Sequence, residues 1–257
     1  MKPSAKSDTA KLLSLATQTA KDAGAVLQKR SDSKLAIRSA EGKDIKIAAD
    51  QEVERLIRGR LSEGSHFGVL GEEEGVTGEL VDDLPYWIVD PLDGTLNYTR
   101  ANPACCVSIG LWHNREPILG AIYHFPMDDM YTGVVAKGAF CNAVAVHPTL
   151  LDDKSQAVYA TGIPVSMNLD EEGMGALAAR IRSYKKIRMI GSAALSLAYV
   201  ASGRFDVYEE KNIKFWDVAA GLALVKASGG YISFVETDTQ RKTMHVKAAA
   251  TRELLYQ

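Results

Sequence analysis

Trp87-Ile88-Val89-Asp90-Pro91-Leu92-Asp93-Gly94-Thr95-Leu96-Asn97 runs an apolar strand straight into two carboxylates three residues apart, followed at once by a Gly-Thr pair. Acidic side chains at a strand end suit hard cations. Glycine lets the backbone come close to a ligand, and exposed N–H groups beside a cation can hold a phosphate. No Lys or Arg lies within the stretch to compensate Asp90 and Asp93. Burying two such charges unpaired is costly, so a divalent cation is the economical partner. The ligands are hard oxygens. His66, His113, His124, His147 and His245 are scattered without ligand spacing, and Cys105, Cys106 and Cys141 form no zinc pattern. The metal implied is therefore Mg²⁺ rather than zinc, and the chemistry implied is that of a metal-dependent phosphate enzyme.

The bulk properties narrow the class further. The chain has 257 residues, 46% hydrophobic and 24% charged, with a net charge of −2. That is ordinary globular composition, long enough for a substantial core, with no basic excess to suggest nucleic acid or an anionic membrane. Three cysteines make no disulfide framework. The opening MKPSAKSDTAKLL carries no apolar core with a cleavage site, and no apolar run reaches membrane-spanning length. A soluble, cytoplasmic protein is expected.

Periodicity predicts helices over 8–30, from Ala49 to about Leu61, over 167–183, over 193–202 and from Trp216 to Ser228. Residues 31–47 read as a polar loop with short extended flanks. Strands are predicted at 67–70, 87–89, 157–161, 187–190, 206–209, 231–234 and 246–249. The apolar runs 104–112, 117–125 and 130–136, separated by turn residues, read as an antiparallel meander. This mixture is α+β or layered α/β. The change of texture near residue 150 suggests two lobes, 1–150 and 151–257, sharing one interface.

Other carboxylates border turns: Asp50, Glu72-Glu73 and Asp217. Each alone has a plain structural explanation. Asp217 opens a small-residue helix and reads as an N-cap, Glu72 as a solvated turn residue, and Asp50 as an exposed helix-start residue. Together with Asp90 and Asp93 they gain another meaning.

The segments Gly71-Glu72-Glu73, Asp90-Pro91-Leu92-Asp93-Gly94-Thr95-Leu96-Asn97 and Trp216-Asp217-Val218-Ala219-Ala220-Gly221 resemble, in order and separation, the signature set of the inositol monophosphatase family. Gly191-Ser192-Ala193-Ala194-Leu195 and Ala201-Ser202-Gly203-Arg204-Phe205-Asp206 resemble the stretch that precedes the third motif. The resemblance runs from the first helix to about residue 235. It implies a layered αβαβα sandwich with an antiparallel sheet in its N-terminal lobe. It also implies lithium-sensitive, Mg²⁺-dependent hydrolysis of a phosphate monoester, and a homodimer. Carried over by position, Glu72, Asp90 and the Leu92 carbonyl hold a first Mg²⁺; Asp90, Asp93 and Asp217 hold a second; a weaker third uses Glu72 and waters. The implied catalytic set is Asp50, Glu72 and Thr95, with Asp50 and Thr95 orienting the attacking water. Gly94 and Thr95 amides receive the phosphate. Ala194 and Glu210 stand where polyol hydroxyls are contacted, with Asp93 and Asp217 also facing substrate.

Some positions depart from that pattern. Ala49 stands before Asp50 where many members have Thr. The loop from Arg38 to Asp44 lacks the usual Lys-Ser-Ser-Pro order, although Gly42-Lys43-Asp44 resembles a bacterial version. Arg100 stands where many members carry His. The continuation Leu96-Asn97-Tyr98 and the placement of Glu210 favour myo-inositol-1-phosphate or a similar sugar monophosphate. Fructose-1,6-bisphosphate is the alternative, and a regulatory role through a protein partner on the same fold is a further one.

Overall fold

The computed structural model of the chain describes residues 5–30, 37–41, 44–78, 80, 84–163 and 170–257. Its elements build five layers. Helices α1 (Ala5–Arg30) and α2 (Ala48–Gly64) form the outermost, with the hairpin β1 (Ile37–Glu41) and β2 (Asp44–Ile47) between them in sequence. Ala16, Ala20, Ala23 and Leu27 on α1, and Val53, Ile57 and Leu61 on α2, recur at helical spacing and are fully buried.

Those stripes pack on an eight-stranded sheet. Its strands are β3 (Gly68–Gly71), β4 (Gly75–Thr77), β5 (Tyr86–Asp93), β6 (Cys106–His113), β7 (Glu116–His124), β8 (Asp129–Val134), β9 (Gly138–Cys141) and β10 (Val144–Val146), and the short helix α3 (Thr95–Thr99) follows β5. The order is β10-β9-β8-β7-β6-β5-β3-β4, antiparallel except for the parallel pair β3 and β5. Both faces are covered, so β5 alternates between two cores. Trp87 and Val89 join the α1–α2 side, and Ile88 joins the other.

The second half supplies β11 (Val158–Ala160), α4 (Glu171–Ser183), β12 (Lys186–Arg188), α5 (Ala193–Ala201), β13 (Val207–Lys214), α6 (Phe215–Ser228), β14 (Tyr231–Asp238), β15 (Thr243–Ala249) and α7 (Arg252–Tyr256). The five strands form a second sheet in the order β12-β11-β13-β15-β14. Helices α5 and α6 lie between the two sheets, and most residues of both are buried. Beyond the small sheet, Leu254 and Leu255 of α7 and Tyr184 after α4 cover Tyr159, Val207 and Ala249. The result is the α+β, αβαβα sandwich that the motifs implied.

The central layer fits because the big sheet leaves it room. Gly110, Gly120 and Gly133 stand side by side on β6, β7 and β8. A Cβ on Gly110 would lie 3.0 Å from the Ala220 nitrogen, and one on Gly120 would collide with the Ala220 carbonyl. Helix α6 therefore rests directly on sheet backbone, and the Trp112 indole N–H donates to the Ala219 carbonyl at 3.0 Å.

Several boundaries differ from expectation. The strand predicted at 87–89 continues through Asp93, so both carboxylates lie inside it. The predicted strand 206–209 extends to Lys214. The short extended flanks expected around the polar loop are two paired strands, β1 and β2. Helix α4 starts at Glu171, where the Asp170 carboxylate accepts the Gly173 N–H. The start predicted at 167, and Gly42 and Lys43, lie outside the described residues.

The glycine row generates a prediction. Gly120→Ala overpacks the α6 seat by about 1–3 kcal/mol, a drop in Tm of roughly 2–12 °C for a chain of this size. Calorimetry showing an unchanged Tm would contradict the direct helix-on-backbone contact.

Candidate active site

The end of β5 is shaped by a break in its ladder. Asp90 pairs with Ser108 on β6, but the next partner pair is Asp93 with Cys106, so β5 carries an extra residue. Pro91 lies within the break, where its missing N–H costs no ladder bond. Such bulges re-aim side chains. The Asp90 Oδ1 accepts the Leu92 N–H at 2.9 Å, closing a tight turn around Pro91. Gly94 follows with φ 89° and ψ 39°. A Cβ there would lie 2.6 Å from the Ala104 carbonyl, so glycine is required twice over, by conformation and by space. The Thr95 hydroxyl donates back to the Leu92 carbonyl at 3.1 Å.

This turn is stitched to the layer beneath the small sheet. The Asp93 Oδ2 accepts from the Ser192 hydroxyl at 2.6 Å and from the Ala194 N–H at 2.7 Å. Ser192 also caps α5, its oxygen accepting the Leu195 N–H at 3.2 Å. The Asn97 amide donates to the Ala104 and Ile190 carbonyls, each at 2.8 Å. A carboxylate from one half of the chain is thereby oriented by a helix start from the other.

Three further segments add acids. Glu72 comes from the turn after β3, Glu210 from β13 and Asp217 from the first turn of α6. Asp90 and Asp93 are 2% and 8% exposed. Burial holds the Asp90 carboxyl well above the usual range, and Glu72, Asp93 and Asp217 push it higher. Burial raises Asp93 to about 6, against the pull of its hydrogen bonds from Ser192 and the α5 amides. Asp217 is likewise raised by burial, then by Glu72, Asp93 and Glu210, with Lys214 as the opposing cation. Burial lifts Glu210 to about 7, although the Tyr208 hydroxyl donates to it at 3.0 Å. Glu72, Asp93, Glu210 and Asp217 line one cavity of about 720 Å³, with Lys214 and Arg241 also on its wall.

These residues fit a divalent cation by charge and donor type: hard oxygens, mutually repelling, with little positive compensation. Among the described residues no three acidic, His or Cys side chains converge into a ready-made cage. Glu72, Asp93, Glu210 and Asp217 border the cavity, whose volume has room for water and a phosphate.

Asp50, Asp90, Leu92, Gly94, Thr95 and Ala194 are not among the residues that line that cavity. Asp50 is buried at the start of α2, near Tyr98. Ala194 is fully buried with its N–H committed to Asp93, and it is Ser192 and Ala193 that line the cavity. Arg100 is exposed at the end of α3. Sequence reading assigned no role to Ser192, Asn97, Glu54 or Arg58. Ser192 had a legible signal, a serine just before an apolar helix, but that signal names a cap and not its second bond to Asp93.

A profile of the inositol monophosphatase family matches residues 8–255. Inositol monophosphatase 3 of Solanum lycopersicum is 34% identical over 231 residues, 86% of this chain and 84% of that one. A Nus factor SuhB of Xylella fastidiosa is 38% identical over 185 residues, 71% of this chain and 66% of the relative. The structure of inositol monophosphatase from Anabaena (Nostoc) superposes with a TM-score of 0.83 at 30% identity, covering 96% of this chain and 94% of that one. With motifs, layer order and sequence in agreement, the chain belongs to the inositol monophosphatase family of phosphoric monoester hydrolases.

Proposed function

We propose that the protein releases phosphate from myo-inositol-1-phosphate or a closely similar polyol monophosphate, using Mg²⁺, and works as a homodimer. The observation that carries this reading is the group of buried, poorly compensated carboxylates from four chain segments, of which Glu72, Asp93, Glu210 and Asp217 line one cavity. Two or three divalent ions there supply water activation and neutralisation of the phosphate charge. Glu72, Asp90 and the Leu92 carbonyl are the donors for one, and Asp90, Asp93 and Asp217 for another. In this reading the Gly94 and Thr95 amides receive the phosphate, and Thr95 with Asp50 orients the attacking water. Glu210, with its acceptor oxygens at the far wall, takes hydroxyls of the alcohol. Ser192 keeps Asp93 turned toward the cavity.

Lys214 and Arg241 on the same wall favour a second reading, a sugar bisphosphate whose other phosphate meets those cations. A phosphate-release screen with inositol-1-phosphate, fructose-1,6-bisphosphate and nucleotide phosphates separates the two, run with Mg²⁺ and with added Li⁺. Inositol phosphate is expected to lead; negligible turnover of it beside strong bisphosphate turnover reverses the order. A partner-binding role beside catalysis has the Nus factor relative in its favour, and a stoichiometric partner retained by an inactive variant is its test.

Two predictions follow from the charges. Asp93→Asn keeps the bulk of the carboxylate but removes its charge, so turnover should fall at least 1,000-fold, on the order of 4 kcal/mol in the barrier, with the circular dichroism spectrum retained. Normal Mg²⁺-dependent turnover would remove Asp93 from the site. The second concerns pH. Asp93 and Glu210 have folded values near 6 and 7, above their unfolded values. A raised carboxyl favours the folded state while protonated. The metal-free protein should therefore lose stability as pH rises from about 4 to 7. Mg²⁺ binds the charged form, so the Tm gap between Mg²⁺ and EDTA samples should widen by roughly 5 °C or more from pH 5 to 8. A gap independent of pH would count against a shared carboxylate site.

A further inference from the structure

Helix α2 carries a buried ion pair that the reaction scheme does not use. Glu54 is fully buried and Arg58 is 7% exposed. They stand one turn apart, with Arg58 Nη2 donating to Glu54 Oε1 at 2.7 Å and Nε donating to the same oxygen at 2.9 Å. An isolated buried pair of this kind adds little stability over apolar packing, so what else it holds matters more.

Here both members grip the hairpin that bears Glu72. Glu54 Oε2 accepts the Glu73 N–H at 2.7 Å, and Oε1 accepts the Glu74 N–H at 2.9 Å. Arg58 donates to the Gly75 carbonyl and the Thr77 hydroxyl, each at 2.7 Å, and to the Val69 carbonyl at 3.3 Å. The bonds thus span the end of β3, the whole turn and β4. Packing is tight as well: a Cβ on Gly71 would lie 2.5 Å from Glu54 Oε1 and 2.6 Å from Arg58 Nη2. Asp50 stands one turn before Glu54 on the same helix, and residues four apart share a face. One rigid helix therefore carries Asp50 and grips the turn that carries Glu72.

We propose that Glu54 and Arg58 are positioning residues of the active site: the pair sets where Glu72 stands relative to Asp50 and the β5 carboxylates. Neither touches the substrate. This inference rests on the phosphatase reading above, because it makes Glu72 a cation ligand. Supporting groups around metal ligands commonly change cation affinity or activity 10- to 100-fold when altered. Glu54→Gln turns one acceptor into a donor facing a turn N–H. Arg58→Gln removes the Gly75 and Thr77 bonds while leaving Glu54 its two turn amides.

The test measures Mg²⁺ alone by its effect on Tm and on tryptophan fluorescence, since Trp216 adjoins Asp217. Kinetics on inositol-1-phosphate run in parallel. Ile57→Val, a buried change on the same helix facing the α1–α2 core, serves as a stability control. Glu54→Gln and Arg58→Gln should each raise the Mg²⁺ midpoint at least 10-fold in both kinds of readout, while Ile57→Val lowers Tm with the midpoint unchanged. Should Glu54→Gln fail to fold, Arg58→Gln decides alone. A wild-type Mg²⁺ midpoint in a folded variant of either residue, with only Tm reduced, overturns the positioning role. Absence of any Mg²⁺ response or phosphate release in the wild type would instead overturn the phosphatase reading itself.

Discussion

Like charges held together out of water are the constraint around which this protein is organised. Burial raises the carboxyl pKa of Asp90, Asp93 and Asp217, and repulsion from neighbouring acids pushes Asp90 and Asp217 higher. Left to relax, such groups would turn outward or draw water in. What prevents this is a set of restraints on the backbone rather than on the charges. The ladder break at Pro91, the left-handed Gly94 and the Asn97 bonds fix the β5 turn, and the α5 amides hold Asp93 from behind.

The two sheets contribute differently. The eight-stranded sheet supplies Glu72, Asp90 and Asp93 from the adjacent parallel strands β3 and β5, whose C-terminal ends lie side by side. Ligand sites commonly occur at the C-terminal ends of parallel strands, and this is the sheet's only parallel pair among the described residues. The small sheet and the middle helices supply Glu210, Asp217 and the cap at Ser192. The cavity is formed where these contributions meet, so the central core packed around α5 and α6 is also what aligns the site.

Much of this was legible in the sequence. The motif residues named the acids, the helical stripes of α1 and α2 named their buried faces, and the texture after residue 100 named the meander. What stayed hidden has a physical reason in each case. Strand β5 continues past Val89 because Asp90 and Asp93 pair with Ser108 and Cys106 of β6 across a bulge, which local propensity does not encode. Glu54 and Arg58 look like an exposed i,i+4 pair, because nothing in a helix sequence shows that a hairpin from later in the chain will cover them. Ala194 is a case of a different kind: its position in the motif pointed to a substrate contact, while its N–H is spent on Asp93 inside the core.

Gly110, Gly120 and Gly133 complete the argument, because they connect stability to the site. Asp217 belongs to the first turn of α6, and α6 is located by the sheet backbone that those glycines expose. Moving the helix outward by even the thickness of a methyl group would carry Asp217 away from Asp90 and Asp93 by a comparable distance. Cation coordination tolerates only a few tenths of an ångström of such displacement. The small residues Ala219 and Ala220 are thus needed beside Asp217 for the same reason that glycine is needed on β6 and β7. They let two layers approach until carboxylates from opposite halves of the chain can share one set of charges.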